Sequence, residues 1–184
     1  MRKMSDNPPA RFPARPIGET ADPWFIAHVK PRQEKAVADD CLRREIEYYL
    51  PMVVHVTRRK DNNKPRKSIL PLFPGYISCA GSKETFSTLY ATGRIAHIIP
   101  VKNQKKFIGE LNQIYSLLEQ GVLLETCLTA FAEGAEVCIQ AGPLKGIRGV
   151  VANAKNQNRL ILSVEGLGRA MLTVDAAMVK PVES

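Results

Sequence analysis

Residues 68–79, Ser-Ile-Leu-Pro-Leu-Phe-Pro-Gly-Tyr-Ile-Ser-Cys, constrain the fold more than any other segment of the chain. Ile69, Leu70, Leu72, Phe73, Tyr76 and Ile77 make an apolar run bounded by polar residues, which reads as a buried strand. Pro71 and Pro74 each lack a backbone donor, so the run cannot be paired on both sides along its whole length. Gly75 after Pro74 favours a bulge or tight bend before the strand resumes at Tyr76. The expectation is a strand entered through a kinked corner that sets Phe73 and Tyr76 at an angle no regular pleat would give. Each ring is then either part of the core or the floor of a shallow apolar depression that receives a partner.

The totals exclude several classes. A chain of 184 residues and 20.4 kDa holds one domain or two small ones, and 45% hydrophobic residues suffice for a core. No apolar run approaches the roughly 20 residues of a membrane span. The first residues carry charges with no apolar stretch behind them, so no secretion signal is read there. Cys41, Cys79, Cys127 and Cys138 are widely spaced, form no Cys-x-x-Cys and have only three histidines to join them. Reduced thiols in a cytoplasmic protein without metal or cofactor are expected. His28, His55 and His97 all fall in predicted strands as packed or edge residues. Glu45 and Glu47 lie on different helix faces, and no serine or cysteine has a visible base. The chain is read as no enzyme.

Along the chain, residues 1–22 are proline-rich with few large apolar residues and read as a disordered tail. Trp24–Val29 is a short buried strand. A helix runs from Arg32 to about Glu47, with Val37, Ala38, Cys41, Leu42 and Glu45 on one stripe. Tyr48–Val56 and 69–79 are further strands, 83–91 a short helix, and Ile95–Val101 a fourth strand. Gln104–Glu119 is the clearest helix, with Gly121 as its C-terminal cap. The order β-α-β-β-α-β-α gives an α+β fold with a four-stranded antiparallel sheet over residues 23–121. Residues 122–133 read as a linker. After it, 134–184 hold five short glycine-punctuated strands (136–140, 149–154, 160–164, 170–174 and 178–179), the pattern of a small β-barrel.

Charge is uneven. Residues 23–129 carry 16 basic and 10 acidic residues, whereas 130–184 carry six and five. A polyanion would therefore meet the first part. Thr57–Lys67 holds Arg58, Arg59, Lys60, Lys64, Arg66 and Lys67 against one acid, with turn residues at Asp61-Asn-Asn. This is a solvated loop or a phosphate-contacting hairpin tip, and it shows no pattern for reading base edges. The glycines of 142–149 lack a following Gly-Lys-Ser/Thr and read as a tight barrel turn.

Three segments, in this order, resemble the NusG family of transcription elongation factors. They are Trp24–Val29 with Gln33-Glu34, then Leu72-Phe-Pro-Gly-Tyr-Ile77, then Gly142-Pro-Leu-Lys-Gly-Ile-Arg-Gly-Val-Val151 followed by Gly168-Arg169. Together they cover about residues 23–181. The resemblance implies an NGN-like domain followed by a five-stranded SH3-like KOW barrel. Ala135-Glu136, His28 and the proline-rich tail depart from the general factor and are closer to the RfaH and capsule-operon branches. The resemblance further implies docking on the clamp helices of RNA polymerase, with Phe73 and Tyr76 at or beneath an apolar depression and His28 beside them. Thr85, Ser87 and Thr88 fall where the family contacts the opposite pincer. Upstream or non-template DNA would lie along the basic hairpin, with Lys30 and Arg32 added to the nucleic-acid set. The KOW motif, Gly142, Pro143, Lys145, Gly146 and Gly149, would shape a barrel that binds a ribosomal protein or Rho. A monomer that promotes processive elongation and antitermination is expected. The alternative is an RNA- or ribosome-binding KOW protein that never meets polymerase.

Overall fold

The computed structural model describes residues 6–59, 61–126, 134, 136–140, 144–154, 157–173 and 179–181. Its contacts form two compact units, Met1–Ile108 and Gly109–Ser184.

The first unit contains β1 (Arg11–Phe12), β2 (Trp24–Val29), α1 (Glu34–Arg43), β3 (Glu47–Tyr49), β4 (Met52–Arg58), β5 (Pro65–Pro71), β6 (Tyr76–Ala80), α2 (Lys83–Tyr90) and β7 (Ile95–Pro100). Five of these strands make an antiparallel sheet in the order β1-β3-β6-β2-β7, and β4 and β5 form a separate two-stranded ribbon. The expected strand 48–56 breaks after Tyr49, because Pro51 cannot donate in a ladder. The run 69–79 breaks in the same way between Pro71 and Tyr76. Each half-strand inside the sheet thus continues into the ribbon beyond a proline corner. Phe25, Ala27 and Val29 of β2 alternate toward α1 and α2. There they join Val37, Ala38, Cys41, Tyr48, Ile77, Cys79 and Leu89 in one buried cluster. The helix α1 is shorter than its stripe suggested. It stops at Arg43, Glu45 takes a left-handed φ of 54°, and Leu42 is left exposed.

The tail requires a correction. Residues 6–22 are not a disordered appendage: Arg11 and Phe12 pair with Tyr49 and Tyr48 as the fifth strand of the sheet. The amide of Leu50 donates to Ala10, the Tyr48 hydroxyl donates to Pro9, and Ile17 is buried. Composition shows only that a segment cannot build its own core. It does not show whether an existing sheet edge will hold it.

The helix α3 (Gln104–Glu119) has the bounds read from the sequence and crosses the division between the units. Phe107, Leu111, Ile114 and Leu117 are buried. It ends in a Schellman cap, with Gly121 at φ 72° donating to Leu118 and Val122 donating to Leu117. In the second unit, β8 (Glu125–Thr126), β9 (Glu136–Ile139), β10 (Arg148–Ala154), β11 (Gln157–Val164), β12 (Gly168–Thr173) and β13 (Val179–Pro181) form one antiparallel sheet in the order β13-β9-β10-β11-β12-β8. Five of these correspond to the expected short strands. The sixth, β8, comes from the stretch read as linker and pairs Thr126 with Ala170. Val137, Ile139, Leu160, Ile161, Leu162, Val164, Ala170 and Leu172 are among its buried side chains. Among the described residues no helix is long and apolar enough to cross a membrane.

Candidate docking and nucleic-acid surfaces

Three rings stand side by side on three neighbouring strands. The antiparallel register sets His28 of β2 opposite Tyr76 of β6 on one flank and His97 of β7 on the other, so all three side chains emerge on one face. That face is turned away from the cluster under α1 and α2, because His28 alternates with Ala27 and Val29, which belong to it. The His28 ring centroid lies 4.9 Å from that of Tyr76 and 4.6 Å from that of His97. The two histidine Nδ1 atoms are 3.2 Å apart, a hydrogen bond in which one ring donates and the other accepts. At the far end of the same face, Trp24 is closed over. Its indole N–H donates to the Ile17 carbonyl at 3.1 Å, and Gln104 clamps its backbone N–H and C=O, both at 2.8 Å. His28 and Tyr76 remain half-buried and His97 exposed.

The proline corner before β6 aims Tyr76. Gly75 adopts φ 86°, a left-handed value that a side chain would strain. Its N–H donates to the buried carboxylate of Glu34 at 2.7 Å, and its carbonyl accepts from Val29 at 2.8 Å. The two rings differ in burial: Phe73 is enclosed, at 3% exposure, whereas Tyr76 is half-buried. Glu34 had no signal of this role in the sequence, since its partner lies 41 positions away. His97 was read only as a strand residue, and only the β2–β7 register brings it to His28.

Thr85, Ser87 and Thr88 lie on α2, on the other side of the sheet from the ring row, because α2 packs through Phe86 edge-on against Phe25. Ser87 is exposed, and Thr85 and Thr88 are half-buried. The side chain of Thr85 closes on Gly81, where a β-carbon would collide with it, and the Thr88 hydroxyl donates to the Glu84 carbonyl.

The basic segment is the tip of the β4–β5 ribbon. Arg58 stands opposite Pro65, Thr57 opposite Arg66 and Val56 opposite Lys67. Arg66 therefore projects from one face of the ribbon and Arg58 and Lys67 from the other. Arg59 donates its amide to Lys64 across the turn, where Asn63 takes φ 55°. Arg58, Arg59, Lys64, Arg66 and Lys67 are exposed, and Lys60 lies outside the described residues. The ribbon also leaves Val54 and Val56 more than half exposed.

Lys30 and Arg32 are exposed in the turn leading into α1, where the Lys30 amide donates to Arg94. The Arg94 guanidinium reaches Asp40 at 3.0 Å and Gln33 at 2.6 Å, and Arg43 and Arg44 also pair with Asp40, whose carboxylate is buried. In the second unit, Gly142 and Pro143 lie outside the described residues. Lys145 is exposed, and Gly146 takes φ 91° and donates to Ile139. A β-carbon at Gly149 would run into the Ile161 carbonyl oxygen. These glycines are needed for a turn and a close strand approach.

A family model described as "NusG: Transcription termination factor nusG" matches residues 22–117, just over half of the chain. The structure entitled "Domain interaction in Thermotoga maritima NusG" is similar at 18% identity and a TM-score of 0.48, covering 88% of this chain and 98% of that one. The structure entitled "Crystal Structure of MjSpt4:Spt5 complex conformation B" is similar at 19% identity and a TM-score of 0.30, covering 88% and 97%. No curated protein matches the chain.

Proposed function

The chain belongs to the NusG family, and from that premise we propose that it is a transcription elongation factor that binds RNA polymerase and promotes processive elongation and antitermination. Proteins of this family are transcription factors rather than enzymes. The observation that carries the reading is the coincidence of the family match with the unit that presents the His28–Tyr76–His97 row, an open polar-aromatic face beside a sheet end already closed by Trp24.

In this reading the polymerase clamp helices seat on that face, with Tyr76 and His28 touching them and Phe73 supporting Tyr76 from beneath. Thr85, Ser87 and Thr88, on the other side of the sheet, meet the opposite pincer. A ligand that grips both sides of a cleft binds the closed clamp better than the open one and shifts the population toward it by that difference in affinity. A clamp held closed pauses less. The ribbon tip, with Lys30 and Arg32, lies along upstream or non-template DNA through phosphate contacts. The second unit, as a KOW domain, recruits a ribosomal protein or Rho.

The test is co-purification of the full chain with core RNA polymerase, followed by pausing assays on a defined template. Retention on polymerase with fewer long pauses is expected. A chain that binds ribosomes or RNA but never polymerase would replace this reading with the ribosomal one.

A further inference from the structure

Two of the chain's three histidines meet as a pair, and the family reading, which uses His28 alone, gives that pair no joint role. His28 and His97 are directly paired residues of adjacent antiparallel strands, and their Nδ1 atoms face each other at 3.2 Å. Zinc holds imidazole nitrogens at about 2.0–2.1 Å, so two such bonds at a tetrahedral angle set the nitrogens about 3.3–3.4 Å apart. The pair already stands within a few tenths of an ångström of that separation. Its backbone is fixed by sheet pairing, and the His28 ring is held between Tyr76 and His97. Chelation replaces the Nδ1···Nδ1 hydrogen bond: the proton on the donor ring's Nδ1 moves to its Nε2, leaving both Nδ1 lone pairs for the ion. Among the described residues no third histidine, cysteine or carboxylate joins the pair, and the exposure of His97 opens the remaining coordination positions to water.

We propose that His28 and His97 form a two-histidine chelate for a divalent late transition-metal ion such as Zn²⁺, Ni²⁺ or Cu²⁺. Imidazole donors suit these ions and not Mg²⁺ or Ca²⁺, and among them Cu²⁺ binds most tightly. An ion held by two protein ligands keeps positions for water or for one donor from whatever covers this face. The site stands on the strand register and the ring geometry, and does not depend on polymerase docking.

The experiment uses the full chain, stripped with chelator and titrated by calorimetry with NiCl₂, ZnCl₂ or CuCl₂, with MgCl₂ as control. One ion per chain is expected to bind, with no Mg²⁺ binding. Either His28→Ala or His97→Ala should weaken binding by at least about ten-fold, the lower end of what even an outer-shell partner contributes to metal affinity. His55→Ala should leave binding unchanged. Cu²⁺, being paramagnetic, should broaden the amide signals of His28, Tyr76 and His97 first, which separates this site from the thiols and the N-terminus. His97 is exposed, so His97→Ala keeps the test readable should His28→Ala fail to fold. No saturable binding, binding unchanged in His97→Ala, or broadening centred elsewhere would overturn the site.

Discussion

At the scale of single residues, Phe73 and Tyr76 are three positions apart but differ in what their loss should do. Phe73→Ala removes an enclosed ring and should cost about 3–5 kcal/mol of stability. Tyr76→Ala should cost clearly less, since its ring is half-buried, yet weaken binding to core polymerase at least as much. Urea unfolding beside a polymerase-binding titration checks both, and a Tyr76→Ala variant that binds like the wild type would move the docking face elsewhere. The thiols make a second residue-scale case. Cys41 and Cys79 are wholly buried with sulfurs 4.0 Å apart, and the Cys79 thiol is pushed well up by its hydrogen bond to Cys41 and then by burial. A thiol whose folded pKa is raised favours the native state fully below the unfolded value, near pH 8.5, and loses that contribution as pH rises toward the folded value. The urea midpoint should therefore fall from about pH 8 to about pH 10, the range in which unfolded thiols ionise, and fall less in Cys79→Ala. In the folded protein both thiols should resist a thiol reagent until the chain unfolds.

At the scale of elements, the ribbon and the tail carry opposite lessons. The ribbon tip gathers exposed Arg58, Arg59, Lys64, Arg66 and Lys67 on both of its faces. Each duplex phosphate neutralised adds about 0.9 to the slope of log affinity against log salt. Replacing Arg58, Arg59 and Lys60 with Gln should flatten that slope by up to roughly 2–3 for binding to an elongation complex carrying upstream duplex. The difference should vanish on complexes without that duplex, and an unchanged slope would return the tip to a solvated turn. The tail behaves as part of the sheet. Ile17→Ala should cost about 2–5 kcal/mol, because Ile17 is buried at the segment that accepts from the Trp24 indole. Removing residues 1–22 should speed hydrogen exchange at Leu50, whose amide loses its partner Ala10. Unchanged exchange there would mean that the tail adds nothing to the edge.

At the scale of the whole molecule, the six-stranded antiparallel sheet of the second unit has its own buried side chains and includes β8 from the stretch read as linker. A fragment of residues 122–184 should therefore give a dispersed β-type NMR spectrum, whereas one starting at 134 lacks β8 and should be less stable. A helical spectrum from the longer fragment would mean that this unit changes fold when released from the chain.

Local pattern was enough to determine the helices and most of the strands. The stripe of Phe107, Leu111 and Ile114 and the cap at Gly121 are interactions among neighbours in the chain, and α3 has the bounds they imply. The break in the central run was legible for the same reason, since Pro71 and Pro74 lack donors wherever they are placed. The basic tip was legible too, because charge and turn residues need no tertiary partner to be recognised. Tertiary structure alone decided that the proline-rich tail becomes a strand, since only the free edge at Tyr48 and Tyr49 supplies the missing partners. It alone separated Phe73 from Tyr76, through a glycine corner held by Glu34. It alone brought His97 to His28 across 69 positions of chain, because strand register is set by which faces the whole sheet must bury.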